Sequence, residues 1–274
     1  MLPTVFVSHG SPNMALFESP ARRFMKGLAA TLPRPKAILS VSAHFTTAVP
    51  VVIADEKPEM IYDFGGFERE LYEMVYPAPG SPVLAEKIGR QIAAAGFDAR
   101  LGIDRGFDHG TWVPLSLIYP DADIPVVQLS IQPRQDAAYH YRLGQALQGL
   151  ADEGILVMAS GSLTHNLNEV FDRRRGGMRP LESANEPWAE EFSAWVADRL
   201  DQNAVDDLLA YRTKAPHAAR NHPTDEHLLP LYVALGAAGA GASAERVHTS
   251  GQFGALMMDA YLFHPAAAPE SRAA

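Results

Sequence analysis

The chain has 274 residues, of which 47% are hydrophobic and 20% charged, the balance of a globular protein rather than a disordered or fibrous one. Lys plus Arg number 23 and Asp plus Glu 32, for a net charge of −9, which argues against a general nucleic-acid binder and against a basic membrane-surface protein. Cysteine is absent, so disulfides, thiolate metal sites and a cysteine nucleophile are excluded, and a reducing, cytoplasmic setting is expected.

A chain of this length fits one large α/β domain, or two small ones, and buries about 75% of its unfolded surface without a disulfide or metal staple. The start, Met1-Leu2-Pro3-Thr4-Val5-Phe6-Val7-Ser8-His9, has neither a basic leader nor a cleavage site, so no signal peptide is expected. No run approaches the ~18 strongly apolar residues of a membrane span. The expected division is a catalytic domain over residues 1–264 and a loose Ala/Pro-rich tail over 265–274.

The elements alternate short apolar runs with amphipathic stretches, the pattern of helices covering a central sheet. Thr4–Val7 and Ala37–Val41 read as strands apolar on both faces, and Val49–Ile53 as a further candidate. Ser81-Pro82 supplies an N-cap and an N1 proline for a helix carrying Leu84, Ile88, Ile92 and Ala95, which Gly96 ends. Ile124–Leu129 is the next strand. Asp136 caps a helix expected to run to about Leu150, with Leu143, Leu147 and Leu150 inward and Gly154 beyond it. Ile155–Met158 is another strand, and the polar stretch Arg173–Glu186 reads as an exposed loop or lid. Trp188, Phe192, Trp195 and Leu200 mark a helix. Thr224 is expected to cap the last one, which carries Leu228, Leu231, Tyr232 and Leu235 and closes at Gly236. The fold class is therefore α/β: a single domain with a central mostly parallel or mixed sheet flanked by helices.

Histidine carries the chemistry. His9, His44 and His165 each fall at or just beyond the carboxyl end of a predicted strand, where open α/β sheets build their ligand sites. Their flanks are small or polar, which lets a ligand approach the backbone. His109 lies in the glycine-bracketed turn Gly106-Phe107-Asp108-His109-Gly110. His222 and His227 lie at the start of the helix capped by Thr224, with His227 in its first turn. For His140, His217, His248 and His264 the plainer reading is kept: a surface or satisfied core residue, the first on a polar helix stretch and the others in loops or near the tail. Without cysteine, a histidine cluster means a site for Zn, Fe, Cu or Ni, or acid–base work.

Other signatures are missing. There is no His-Glu-x-x-His zinc motif, no phosphate-binding Gly-x-x-x-x-Gly-Lys loop and no Gly-x-Gly-x-x-Gly turn. Ser160-Gly161-Ser162 is not a nucleophile elbow, although a serine hydrolase built on Ser8 or Ser162 stays open at this point.

Seven segments together resemble a known family: His9-Gly10-Ser11-Pro12, Ser42-Ala43-His44, Tyr62-Asp63-Phe64-Gly65-Gly66-Phe67, Tyr76-Pro77-Ala78-Pro79-Gly80, Gly106-Phe107-Asp108-His109-Gly110, Tyr119-Pro120-Asp121-Ala122-Asp123-Ile124-Pro125 and Pro223-Thr224-x-Glu226-His227-x-x-Pro230-Leu231. They are similar to the class III extradiol ring-cleavage dioxygenases, in particular the DOPA 4,5-dioxygenase type, over residues 4 to about 263. The resemblance implies a non-haem Fe(II) enzyme that opens a catechol ring such as that of L-DOPA with O2, giving a semialdehyde. It implies metal ligation by His9, His44 and His227, with His165 as the acid/base and sometimes as a fourth ligand, and His109 as a second pocket histidine. More distant relatives use a carboxylate, which makes Glu226 the competing third ligand. Three imidazoles also bind Zn well, so zinc can replace iron in purified protein.

The substrate side is less marked. Arg173–Arg175 could pair with a substrate carboxylate, although a solvated loop is the plainer reading. Tyr62, Phe64, Phe67 and Trp112 are candidates for the pocket wall, with core packing an equal reading for each. The competing functions are a zinc-dependent hydrolase or lyase on the same histidines, and a non-enzymatic binding protein on the same fold. The expected partner is a small-molecule catechol, with no nucleic acid and no membrane; oligomeric state is not legible.

Overall fold

The computed structural model describes residues 2–172 and 176–266. The strands in chain order are β1 (Thr4–Ser8), β2 (Ala37–Thr46), β3 (Val51–Ile53), β4 (Arg100–Gly102), β5 (Val126–Ile131), β6 (Ile155–Gly161), β7 (Phe171–Asp172), β8 (Gly177–Met178), β9 (Ser243–His248), β10 (Gly251–Gln252), β11 (Leu256–Met257) and β12 (Ala260–His264). The helices are α1 (Pro20–Leu28), α2 (Pro82–Ala94), α3 (His109–Ile118), α4 (Ala137–Gln145), α5 (Leu167–Val170), α6 (Pro187–Asp201), α7 (Val205–Leu209), α8 (Tyr211–Lys214), α9 (Ala218–Asn221) and α10 (Leu229–Ala238).

One eight-stranded sheet runs through the domain in the order β4-β3-β5-β2-β6-β1-β12-β9. Its centre, β5-β2-β6-β1, is parallel, while β12 and β9 are antiparallel additions on one side. The sheet is therefore mixed, with a parallel core. Every residue of β1, β5 and β6 is buried, as a sheet covered on both faces requires. The register shows the two layers. Ser40 of β2 and Ser160 of β6 face α3, hydrogen-bonding Thr111 and the Gly110 carbonyl. Thr4 of β1, out of phase with them, donates 2.7 Å to the Ala234 carbonyl of α10 on the other face.

Several ends differ from the sequence reading. β2 and β6 run past the expected Val41 and Met158, because Ser42, Ser160 and Gly161 stay in the ladder although they are not apolar. His44 thus sits inside the last turns of β2, where the register with β5 shifts between Val41 and Thr46. The strand expected from Ile124 starts at Val126, since Pro125 offers no N–H to the ladder. The Asp136-capped helix stops at Gln145, and irregular turns continue through Gly149 and Gly154, both at positive φ. The Arg173–Glu186 stretch is not simply loop, because Gly177–Met178 pairs with Phe171–Asp172 as a short hairpin. His248 and His264, placed in loops by sequence, close strands β9 and β12.

The last helix is the largest correction. It starts at Leu229, its N-cap is Leu228, and Thr224 makes no cap; Thr224 Oγ1 donates instead to Glu226 Oε1. His227 therefore lies in the turn before α10. Nor does Gly236 end the helix. It lies buried within it, where a Cβ would stand 2.1 Å from the Tyr141 carbonyl oxygen of α4. All ten residues of α10 are buried, as expected of a helix apolar all round and clamped between sheet and α4.

Two histidines outside the site lie in the core, His140 bonded through both ring nitrogens and His222 through Nε2 alone. His140 Nε2 accepts from Gln132 N at 3.1 Å and its Nδ1 donates 2.8 Å to the Asp136 carbonyl. His222 Nε2 donates 2.8 Å to the Leu163 carbonyl. Burial lowers His140 to about 4 and His222 to about 3. No helix among the described residues is long and apolar enough to cross a membrane.

Two predictions follow from this packing. Gly236→Ala forces the α4–α10 backbones apart and lowers stability by about 1–3 kcal/mol, read by urea unfolding. The metal-free protein also loses stability in acid. Unfolded, these imidazoles take a proton near 6.5; folded, they resist it down to about 4 and about 3. Protons therefore bind the unfolded chain first, and stability that is intact above 6.5 drains away as pH falls toward 4. Urea midpoints that do not change between pH 7.5 and 4 would contradict this.

Candidate functional site

Parallel strands deliver the site. His9 follows β1 directly, and its backbone N–H donates 2.9 Å to the Gly161 carbonyl at the end of β6. His44 stands near the end of β2. His165 lies in the turn after β6, its N–H held 2.9 Å from the Asn221 carbonyl. His109 is the first residue of α3, whose N-cap Asp108 accepts from Thr111 N. His227 is fixed by its own carbonyl, which accepts from Ser162 N at 2.8 Å. That contact needs Gly161, where a Cβ would stand 2.1 Å from the same oxygen.

Five of the sequence-selected histidines thus meet at one cleft of about 340 Å³. Ring centroids of His9, His44 and His227 are 4.9, 5.0 and 5.5 Å apart, a nearly even triangle. His109 lies 3.9 Å from His44 and 5.4 Å from His9. His165 lies flat on His227, with centroids 3.4 Å apart and planes 9° from parallel. Ligand atoms of His9, His44 and His109 lie within 4.8 Å of one another, as do those of His165, Glu226 and His227.

The outward nitrogens are anchored. Ser160 Oγ spends its proton on the Gly110 carbonyl and so accepts from His9 Nδ1 at 3.0 Å. His227 Nδ1 donates 3.1 Å to Glu226 Oε1. His109 Nδ1 donates 2.8 Å to Asp63 Oδ1, and His44 Nδ1 stands 3.6 Å from Asp63 Oδ2. With Nδ1 protonated, each Nε2 presents a lone pair inward. The Nε2 atoms of His9 and His44 face each other at 3.0 Å: without an ion one of them carries a proton toward the other, and a cation between them takes both lone pairs. Neutral imidazoles whose outer nitrogens are hydrogen-bonded, or in His44 faced by a carboxylate, are the donor set of a divalent transition metal.

Electrostatics agree. Burial first, and then the neighbouring imidazoles, hold His9 and His227 well below the ordinary histidine value. Burial and His109 take His44 down to about 3, and burial takes His165 down to about 4. Burial pushes Asp63 up, but its hydrogen bond and charge contact with His109 prevail and hold it at about 2.

The remaining wall is apolar. Phe64, Phe67, Leu167, Val170, Phe171, Met178, Phe253 and Leu256 line the cleft. Phe64 and Phe67 are where the sequence put them. Trp112 is not; it is fully buried in the core, and Tyr62 turns its hydroxyl to the Met74 carbonyl. Phe253 and Leu256 escaped sequence reading because they come from a short hairpin with no motif. Asp63 lay in a quoted motif, yet its contacts with His44 and His109 are long-range. The Arg173–Arg175 run lies outside the described residues. Ser8 Oγ donates to the Asp259 carbonyl and Ser162 Oγ to the Thr164 carbonyl, at 2.9 and 2.7 Å, so neither is paired with a histidine as a serine nucleophile would be.

Known proteins match this chain over nearly its whole length. Residues 4–259 match the family model of the catalytic LigB subunit of aromatic ring-opening dioxygenase. A 4,5-DOPA dioxygenase extradiol of Beta vulgaris is 43% identical over 95% of this chain and 96% of its own. A protein of the same name from Escherichia coli K12 is 43% identical over 86% of this chain and 85% of its own. The crystal structure of an uncharacterized protein from Escherichia coli K12 superimposes with a TM-score of 0.78 at 35% identity, covering 96% of this chain and 99% of that one. The histidine cleft and these matches agree, and the chain belongs to the LigB family of extradiol, aromatic ring-opening dioxygenases.

Proposed function

We propose that the protein is a non-haem Fe(II)-dependent extradiol dioxygenase that opens a catechol such as L-DOPA by 4,5-cleavage with O2, giving a semialdehyde. The observation that carries this reading is the even triangle of His9, His44 and His227, with His9 and His227 hydrogen-bonded through Nδ1 and His44 facing Asp63, beside an apolar cleft. The names of the relatives from Beta vulgaris and Escherichia coli support DOPA as the first catechol to test. Held by these three imidazoles, Fe(II) would supply the Lewis acidity that ionises a catechol hydroxyl and the redox chemistry that O2 requires.

The chain's own residues do the rest. His165 is neutral at physiological pH, because burial holds its value near 4. It can take the proton of a catechol hydroxyl and return it as the ring opens. Its stacking on His227 favours this role over ligation: rings 3.4 Å apart and parallel cannot both aim their in-plane lone pairs at one ion. Glu226 accepts hydrogen bonds from His227 Nδ1 and Thr224 Oγ1, which supports it as the support of His227 rather than as third ligand. His109, with Nδ1 on Asp63, leaves Nε2 to accept from a substrate hydroxyl. Phe64 stands edge-on to His109 at 5.8 Å, and with Phe67, Phe253 and Leu256 it would hold the aromatic ring and exclude water.

Anaerobic loading with Fe(II), followed by L-DOPA and a small catechol panel, tests the reading. One O2 consumed per ring and a new yellow chromophore are expected. No uptake at full iron occupancy would favour a zinc-dependent hydrolase or lyase on the same histidines. In the loaded enzyme, His165→Ala keeps its iron and loses about 10²–10⁴ in kcat; wild-type turnover would remove His165 from the reaction. His227→Ala loses the metal, whereas Glu226→Gln stays within about tenfold of wild-type affinity. The reverse pattern would move the third ligand to Glu226.

A further inference from the structure

We propose that Asp63 is the positioning residue of the site: one carboxylate holds His44 and His109 as a pair and keeps the proton of both rings on Nδ1, so that both Nε2 lone pairs face the cleft. The proposal rests on the reading of His44 as a metal ligand, but not on the identity of the substrate.

The two rings come from unrelated places, the end of β2 and the first residue of α3. Their centroids are nevertheless only 3.9 Å apart. Asp63, on the Tyr62–Phe67 loop, spans them. Its Oδ1 accepts from the His109 backbone N–H at 3.0 Å and from His109 Nδ1 at 2.8 Å. This double bond to one residue fixes the carboxylate plane and leaves Oδ2 toward His44 Nδ1 at 3.6 Å. That distance is longer than a hydrogen bond, so the second contact acts through charge. A carboxylate acts only as acceptor when ionised. It therefore favours N–H over a lone pair at both Nδ1 atoms, and with an ion to take the lone pairs that His9 and His44 turn to each other the tautomer with a free Nε2 follows for both rings. Asp63 also brings a negative charge to a cleft whose other ligand candidates, apart from Glu226, are neutral. Together the two carboxylates balance a divalent ion.

The isosteric change Asp63→Asn separates this role from mere packing. The amide oxygen can still serve His109. The NH2 group then faces His44 Nδ1 as a donor, which asks His44 for a lone pair there and moves its proton to Nε2, the ligand nitrogen. Two measurements on the full-length protein test it. First, ring ¹⁵N shifts of the Zn(II)-loaded wild type assign the tautomers: Nδ1–H is expected for both His44 and His109. Second, chelator competition with Zn(II) compares wild type with Asp63→Asn: a loss of about 10–100-fold in affinity is expected, with the metal-free melting temperature unchanged. A Zn(II)-loaded wild type in which His44 carries its proton on Nε2 overturns the proposal, whether or not the variant folds. So does an Asp63→Asn protein with unchanged Zn(II) affinity, or one whose affinity falls only along with its melting temperature. Neither readout involves ring cleavage, so failure of the dioxygenase reading would show up separately, as iron-loaded wild type without O2 uptake.

Discussion

A proton on any two of the clustered imidazoles would set like charges about 5 Å apart, a repulsion of about 3 kcal/mol even at an effective dielectric of 20. Burial adds to that penalty. The site is therefore built to keep His9, His44, His165 and His227 uncharged, and the lowered values of all four follow from burial and from one another. Neutrality has a geometric consequence. Each ring keeps one N–H and one lone pair, and the outer contacts decide which nitrogen carries which. Ser160, Glu226 and Asp63 take the protons outward, so the lone pairs converge on the cleft.

The fold supplies these outer contacts at almost every layer. Ser160 is a β6 residue facing α3, and its own proton is spent on the Gly110 carbonyl, which leaves it free to accept from His9. Gly161, one residue on, lets the turn carrying His227 come against the sheet. The N-cap of α3 ties down the segment that carries His109, and Asp108 also accepts from Ser42 at 2.6 Å, two residues before His44. The same parallel strands that form the core thus deliver the ligand candidates, and a displacement of one strand would move several imidazoles at once.

The cleft joins this polar floor to a wall of phenylalanine and aliphatic side chains. An aromatic ring with two adjacent hydroxyls, as proposed, would suit such a division: its oxygens would meet the imidazoles and its carbon face Phe64, Phe67, Phe253 and Leu256. Polar groups are concentrated on one side, so the pocket would orient a planar substrate as well as enclose it.

How much of this was legible beforehand depended on the range of the interactions. Buried parallel strands announce themselves by unbroken apolar runs, so β1, β2, β5 and β6 could be found, and with them the strand-end positions of His9, His44 and His165. The antiparallel strands β9 and β12 were missed; β9 is a polar edge strand, exposed along much of its length, and carries no such run. Gly236 looked like a helix stop, because a glycine needed for close helix packing is indistinguishable in sequence from one needed for a turn. The amino-acid order by itself determined the α/β class, the histidine-rich and cysteine-free chemistry and, through ordered motifs, the family. Only the tertiary structure decided which imidazoles face one another, which serine or carboxylate holds each outer nitrogen, and that Asp63 reaches two rings at once. Those contacts join residues as far apart as His9 and Ser160 or Asp63 and His109, and hydrogen-bond direction is a property of positions in space, which spacing along the chain does not encode.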